Sequence, residues 1–167
     1  AESRLFLPRV MIALLGLALC ALVWRWAHGL FGRAGGLVAL TLAVFSPALL
    51  AHGGLATSDM AAALGLTLAV WAFWRMLHRP TAGTVLASAL AAGALFVSKM
   101  SAPILVPMML LMVVARLWCP WSWSLAWRGR RIELRGTRRW LCLAGMALAH
   151  LLVIVVVIWA SYGFQFE

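Results

Sequence analysis

The residues of this chain most able to do chemistry sit in two short stretches. In the first, His52, Gly53, Gly54, Thr57, Ser58 and Asp59 lie between two runs of nearly pure hydrocarbon. In the second, Lys99, the single lysine, stands between Ser98 and Ser101 in Phe96-Val97-Ser98-Lys99-Met100-Ser101-Ala102-Pro103. An acid flanked on both sides by membrane-length apolar runs is expensive and marks a functional site by default. Asp59 alone of the four acidic residues has that position.

Each of these groups has a structural reading beside its chemical one. Thr57 or Ser58 can cap a helix that Asp59 begins, with the carboxylate at the positive end of the helix dipole. Pro47 kinks the preceding segment and frees a carbonyl. Gly53-Gly54 lets the backbone turn tightly before the cap, so the stretch reads as a corner lining a wet cavity. His52 is either a ligand for a metal or phosphate or a hydrogen-bonded interfacial histidine. Lys99 either anchors an anionic group such as phosphate or snorkels from a helix end. Arg9 is a second candidate cation. His28 and His78 lie beside arginines and read as solvated, while His150 reads as a satisfied packing histidine. Cys20, Cys119 and Cys142 form no ligand-spaced pair, which argues against a disulfide or a zinc site. No P-loop, GxGxxG, GxSxG or HExxH motif is present.

The elements that must position these groups follow from composition. The 167 residues are 65% hydrophobic and 11% charged, with a mean hydropathy of +1.00. Soluble domains carry about 25% charged residues, so the chain reads as an all-α, polytopic transmembrane helix bundle. Six segments are expected, over residues 8–26, 35–51, 58–77, 81–97, 101–118 and 140–162. The second and fourth are short against the roughly 20 residues that a spanning helix needs. The net charge of +10 resides mostly in short connections, which indicates membrane topology rather than nucleic-acid binding. Arg25 and Arg33, then Arg75 and Arg79, then Arg116 through Arg139 occupy alternate connections, which the positive-inside rule makes cytoplasmic. His52, Asp59 and Lys99 are then extracytoplasmic. Trp118, Trp121, Trp123, Trp127 and Trp140 suggest that the last Arg-rich loop lies in the headgroup layer, in part as a short helix; a dedicated lipid-headgroup site there is the lesser reading.

Three strings taken in order carry a family resemblance: Phe31-Gly32-Arg33-Ala34-Gly35-Gly36-Leu37, then Phe45-Ser46-Pro47 through Asp59, then Ala94-Leu95-Phe96-Val97-Ser98-Lys99-Met100-Ser101-Ala102. Together with the closing Trp159-Ala160-Ser161-Tyr162-Gly163-Phe164, they resemble bacterial membrane glycosyltransferases of the protein O-mannosyltransferase-like family, glycosyltransferase family 39 of the GT-C type. The likeness runs over roughly residues 4 to 166, so residues 1–167 are expected to be part of a GT-C-like transmembrane domain. It implies an inverting enzyme of the bacterial inner membrane that moves a sugar from a polyprenyl-phosphate donor to an extracytoplasmic protein, lipid or glycan acceptor. It also implies that Asp59 lines the active cavity, through polar contacts or a divalent cation, and that Lys99 meets the donor phosphate. An acceptor hydroxyl needs a base and a lipid-phosphate leaving group needs positive charge. The family's principal catalytic acid lies in a loop before the matching region, and Glu2 does not replace it. An internal fragment, inactive alone, is therefore expected. The competing reading is a transporter or flippase-like bundle with Asp59 and Lys99 along a substrate path; a third is a structural subunit in which the two merely pair or cap.

Overall fold

The computed structural model describes residues 2–53, 55, 58–118, 124–127, 130–133 and 136–163. Among the described residues, six helices carry the fold: α1 (Glu2–Val44), α2 (Pro47–Gly53), α3 (Asp59–His78), α4 (Ala82–Ser98), α5 (Leu105–Trp118) and α6 (Thr137–Ser161). A short 3-10 turn, Ala102–Ile104, leads into α5, and Pro103 sits at its start. The helical membrane architecture expected from composition is what the chain adopts. Among the described residues, three helices are long and apolar enough to cross a bilayer, over 6–44, 59–78 and 137–161. Two shorter apolar helices accompany them, over 82–98 and 102–118. In the most apolar stretches of the first and third, only 11% of the residues are buried by protein. Hydrocarbon side chains left uncovered at that density are stable when the surrounding solvent is lipid.

The chain falls into two compact units, residues 1–68 and 69–167. In the first, α1 is two helices rather than one. Gly32 breaks it at φ 72° and ψ −167°, a backbone conformation that a Cβ disfavours. The segment after Gly32 folds back on the one before it. A Cβ added at Gly36 would lie 3.0 Å from His28 Cβ and 3.2 Å from Trp24 Cδ1, and one at Gly35 would overlap Phe31. On a straight helix Gly36 and Trp24 would be about 18 Å apart along the axis. The first two expected segments are thus a hairpin with an arginine on each arm, Arg25 and Arg33. The helix also begins earlier than expected, at Glu2, and carries Pro8 inside it.

The second expected segment is not continuous. The helix stops at Val44 and restarts at Pro47, because the residue before a proline is pushed out of helical conformation. Ser46 then starts α2 by accepting a hydrogen bond from Leu50 N–H at 3.0 Å.

In the second unit, α4 and α6 pack most closely. α4 presents Ser88, Ala89, Ala91, Ala92 and Gly93 as buried residues. A Cβ on Gly93 would come within 3.0–3.2 Å of three Val157 atoms, so the helices touch where glycine leaves room. Phe73, Met76, Leu77 and Met146 form the buried core, flanked by Val85, Met109, Met112 and Leu143. Between α5 and α6, the Arg- and Trp-rich loop contains an antiparallel strand pair, β1 (Ser124–Trp127) and β2 (Arg130–Glu133). The part of this loop for which a short helix is expected is thus corrected to a strand pair. Alternating Ser-Leu-Ala-Trp and Arg-Arg-Ile-Glu with a two-residue connection suit a ribbon better than an amphipathic helix. Trp121 and Trp123 lie outside the described residues, as does Cys119.

Candidate functional site

The α2–α3 corner is built by sequence-local rules. α2 is seven residues long and ends at Gly53. Leu55 N–H then donates to His52 C=O at 3.3 Å, closing the turn. Ser58 begins α3 through its carbonyl, which accepts from Ala62 N–H at 3.0 Å, and Asp59 occupies the first turn. The expected helix start is there, with the acid where the dipole favours it. Thr57 and Gly54 lie outside the described residues.

This turn brings His52 and Asp59 together. His52 Nδ1 lies 3.4 Å from Asp59 Oδ2, and the two side chains keep 45% and 37% of their surface exposed. The contact falls short of hydrogen-bond alignment, so it is a close polar contact at a partly exposed corner. Such pairs stabilise by about 0–1 kcal/mol, too little to explain the corner as a structural clamp. Met60 anchors it from below: the side chain is 2% exposed, and its methyl lies 3.7 Å from where a Cβ on Gly53 or Gly16 would stand. The small residues therefore let the first turn of α3 seat closely while the polar pair stays accessible.

Lys99 belongs to the second unit. It is the C-cap of α4, half-buried, in extended conformation, with its N–H on Leu95 C=O at 3.3 Å. Its carbonyl accepts from Ala102 N–H at 3.0 Å, which starts the turn into α5. A cation at a helix C-terminus is favoured by the dipole, so the structural reading of Lys99 stands beside the chemical one. Neighbouring Ser98 hydrogen-bonds back to Ala94 C=O at 2.7 Å. Arg9 is exposed on the first arm of α1.

A divalent cation was the one cofactor considered for Asp59. Among the described residues, no group of three or more His, Cys, Asp or Glu could hold a metal ion. Hard cations such as Mg²⁺ are held by one or two carboxylates plus substrate phosphates.

One polar pair was not legible in the sequence. His150, at 7% exposure, receives Ser88 Oγ at 3.0 Å on Nε2 and meets Met146 C=O at 2.8 Å through Nδ1. A carbonyl only accepts, so Nδ1 carries the proton and Ser88 O–H donates to Nε2. The Phe73 ring stands edge-on to the imidazole at 5.8 Å. His150 is thus a satisfied packing histidine, as expected. Its partner 62 residues away gave no local sign of itself. His28 and His78 are exposed and lie against Trp24 and Trp74, with ring centroids 5.4 and 4.4 Å apart.

Compared with known families, residues 2–162 match the family described as dolichyl-phosphate-mannose-protein mannosyltransferase. No curated protein and no solved structure matches the chain.

Proposed function

We propose that this chain, which belongs to the dolichyl-phosphate-mannose-protein mannosyltransferase family, forms part of a membrane glycosyltransferase whose donor is a polyprenyl-phosphate-linked sugar. The acceptor hydroxyl is glycosylated on the extracytoplasmic side of a bacterial inner membrane. The observation that carries this reading is the His52–Asp59 contact at an exposed corner between apolar helices.

The chemistry assigns roles to groups already described. The acceptor oxygen attacks the anomeric carbon, forming a new C–O bond as the bond from that carbon to the phosphate oxygen breaks. The departing polyprenyl phosphate keeps the electron pair, and the acceptor proton passes to a base. Asp59 is the candidate base or acceptor-orienting group, with His52 holding the carboxylate in position. Positive charge stabilises the leaving phosphate; Lys99 is the candidate for that role, and Arg9 a secondary one. The sidedness argument supports this division, because the arginine-rich connections alternate along the chain with those that hold His52, Asp59 and Lys99.

The test measures release of polyprenyl phosphate from a radiolabelled lipid-linked sugar by the intact protein, in wild type, Asp59→Asn and Lys99→Ala at matched expression. Turnover in wild type that falls in both folded variants supports the reading and both assignments. Turnover that survives both changes retains the enzyme class and moves the site. No turnover with any lipid-linked sugar, together with substrate flux in proteoliposomes, would replace the enzyme by a transporter.

A further inference from the structure

The turn from α3 to α4 holds an exposed arginine for which no ion pair is formed among the described residues. Arg75 places its guanidinium 4.9 Å from the centroid of the Trp71 ring, one helical turn earlier. Between Met60 and Ile132 the sequence contains no Asp or Glu. Trp71, Arg75, Thr81, Gly83 and Thr84 line an open pocket of about 310 Å³ at this turn. Arg79 and His78 close the last turn of α3 beside it, both exposed.

Hydrogen bonds tie the rim of the pocket together. Thr81 and Thr84 form a reciprocal capping box: Thr84 N–H donates to Thr81 Oγ1 at 3.1 Å, and Thr81 N–H donates to Thr84 Oγ1 at 2.9 Å. Thr84 Oγ1 also reaches Arg79 C=O at 2.9 Å, tying the end of α3 to the start of α4. Gly83 keeps the pocket open: a Cβ there would meet nothing closer than 3.9 Å.

We propose that this pocket binds the phosphate headgroup of an anionic phospholipid, in the leaflet that the arginine-rich connections face. Three features of the turn select that occupant. Arginine forms paired hydrogen bonds to phosphate and keeps its stacking surface on an aromatic ring while doing so. Tryptophan places the site at headgroup depth. The leaflet that attracts basic connections is the one carrying anionic lipid. The proposal rests on the membrane architecture and not on the glycosyl-transfer reading, so the two stand or fall separately.

The experiment reconstitutes the protein in nanodiscs of equal phosphatidylglycerol and phosphatidylcholine, then counts the lipids of each class retained on transfer to detergent. Wild type is expected to retain phosphatidylglycerol preferentially. Arg75→Gln removes the charge and should lower that preference about fivefold. Gly83→Glu should lower it as much by setting a carboxylate in the pocket, while favouring α4, whose N-terminus accepts an acid. It therefore decides the matter even if Arg75→Gln fails to fold. Arg25→Gln, the same charge removed from the α1 hairpin, should leave the preference intact. Wild-type preference in either folded pocket variant overturns the proposal. So does an equal loss in Arg25→Gln, which would mean diffuse attraction to a basic surface. Displacement of the retained phosphatidylglycerol by excess inorganic phosphate would also overturn it, in favour of a free-phosphate site.

Discussion

The two structured histidine pairs place the same side chain under opposite regimes. His150 is buried against Ser88, Met146 C=O and Phe73, with both ring nitrogens used. His52 is about half-exposed, in a close polar contact with Asp59 on a corner of seven-residue α2. A buried imidazole with both nitrogens occupied serves packing, because taking either bond away leaves a polar atom in hydrocarbon. A partly exposed imidazole beside a carboxylate contributes little to folding and stays within reach of a substrate.

That contrast can be broken most decisively at Asp59. Asp59→Asn should reduce sugar transfer by about a hundredfold or more, the range for losing a general base, with thermal unfolding in detergent unchanged. A large loss of stability with little loss of turnover would reverse the two roles. His150→Leu should do the opposite. It strands the Ser88 hydroxyl and should destabilise the protein by about 1–3 kcal/mol, read as a lower unfolding temperature, while the turnover of the molecules that remain folded persists. Gly93→Ala sharpens the structural half. Its Cβ would press on Val157, and an overpacked contact costs about 1–3 kcal/mol. Its unfolding temperature should therefore fall by up to as much as that of His150→Leu. Ser88→Ala strands His150 Nε2 in turn and should fall at the low end of the same range, about 1 kcal/mol, because interhelical hydrogen bonds in membrane proteins are individually weak. The smallest change is expected for the stability of His52→Ala, within about 1 kcal/mol of wild type, although its turnover should fall. A His52→Ala protein that unfolds as readily as His150→Leu would make the corner a clamp.

The legibility of these regions in the sequence differs for a physical reason. The corner is local: Pro47, Gly53, Ser58 and Asp59 each act on the backbone within a few residues, so its position and the helix start were readable. The break between Val44 and Pro47 was readable only in part. Pro47 was expected to kink a span, whereas Ser46 starts a new helix there. The strand pair between α5 and α6 is not legible because its tryptophans and arginines satisfy an interfacial helix and a ribbon equally well by composition. Pairing of Ser124 with Glu133 and of Trp127 with Arg130 depends on register, which composition does not carry. The pocket at Arg75 escaped notice because a cation one turn after a tryptophan is ordinary; the capping box and the open Gly83 give it walls.

Hydropathy, the alternation of arginines and the Gly and Pro breaks were enough to establish a multi-pass helical chain and its turn positions. These are properties of single segments in lipid, where each helix must satisfy its own backbone whatever its neighbours do. The tertiary structure decided which helices touch and which polar groups meet. Gly93 against Val157 and Ser88 donating to His150 both depend on side chains distant in sequence arriving at one place. Lipid offers no hydrophobic drive to choose among packings, so the choice lies in small residues and single hydrogen bonds that only the folded bundle brings together.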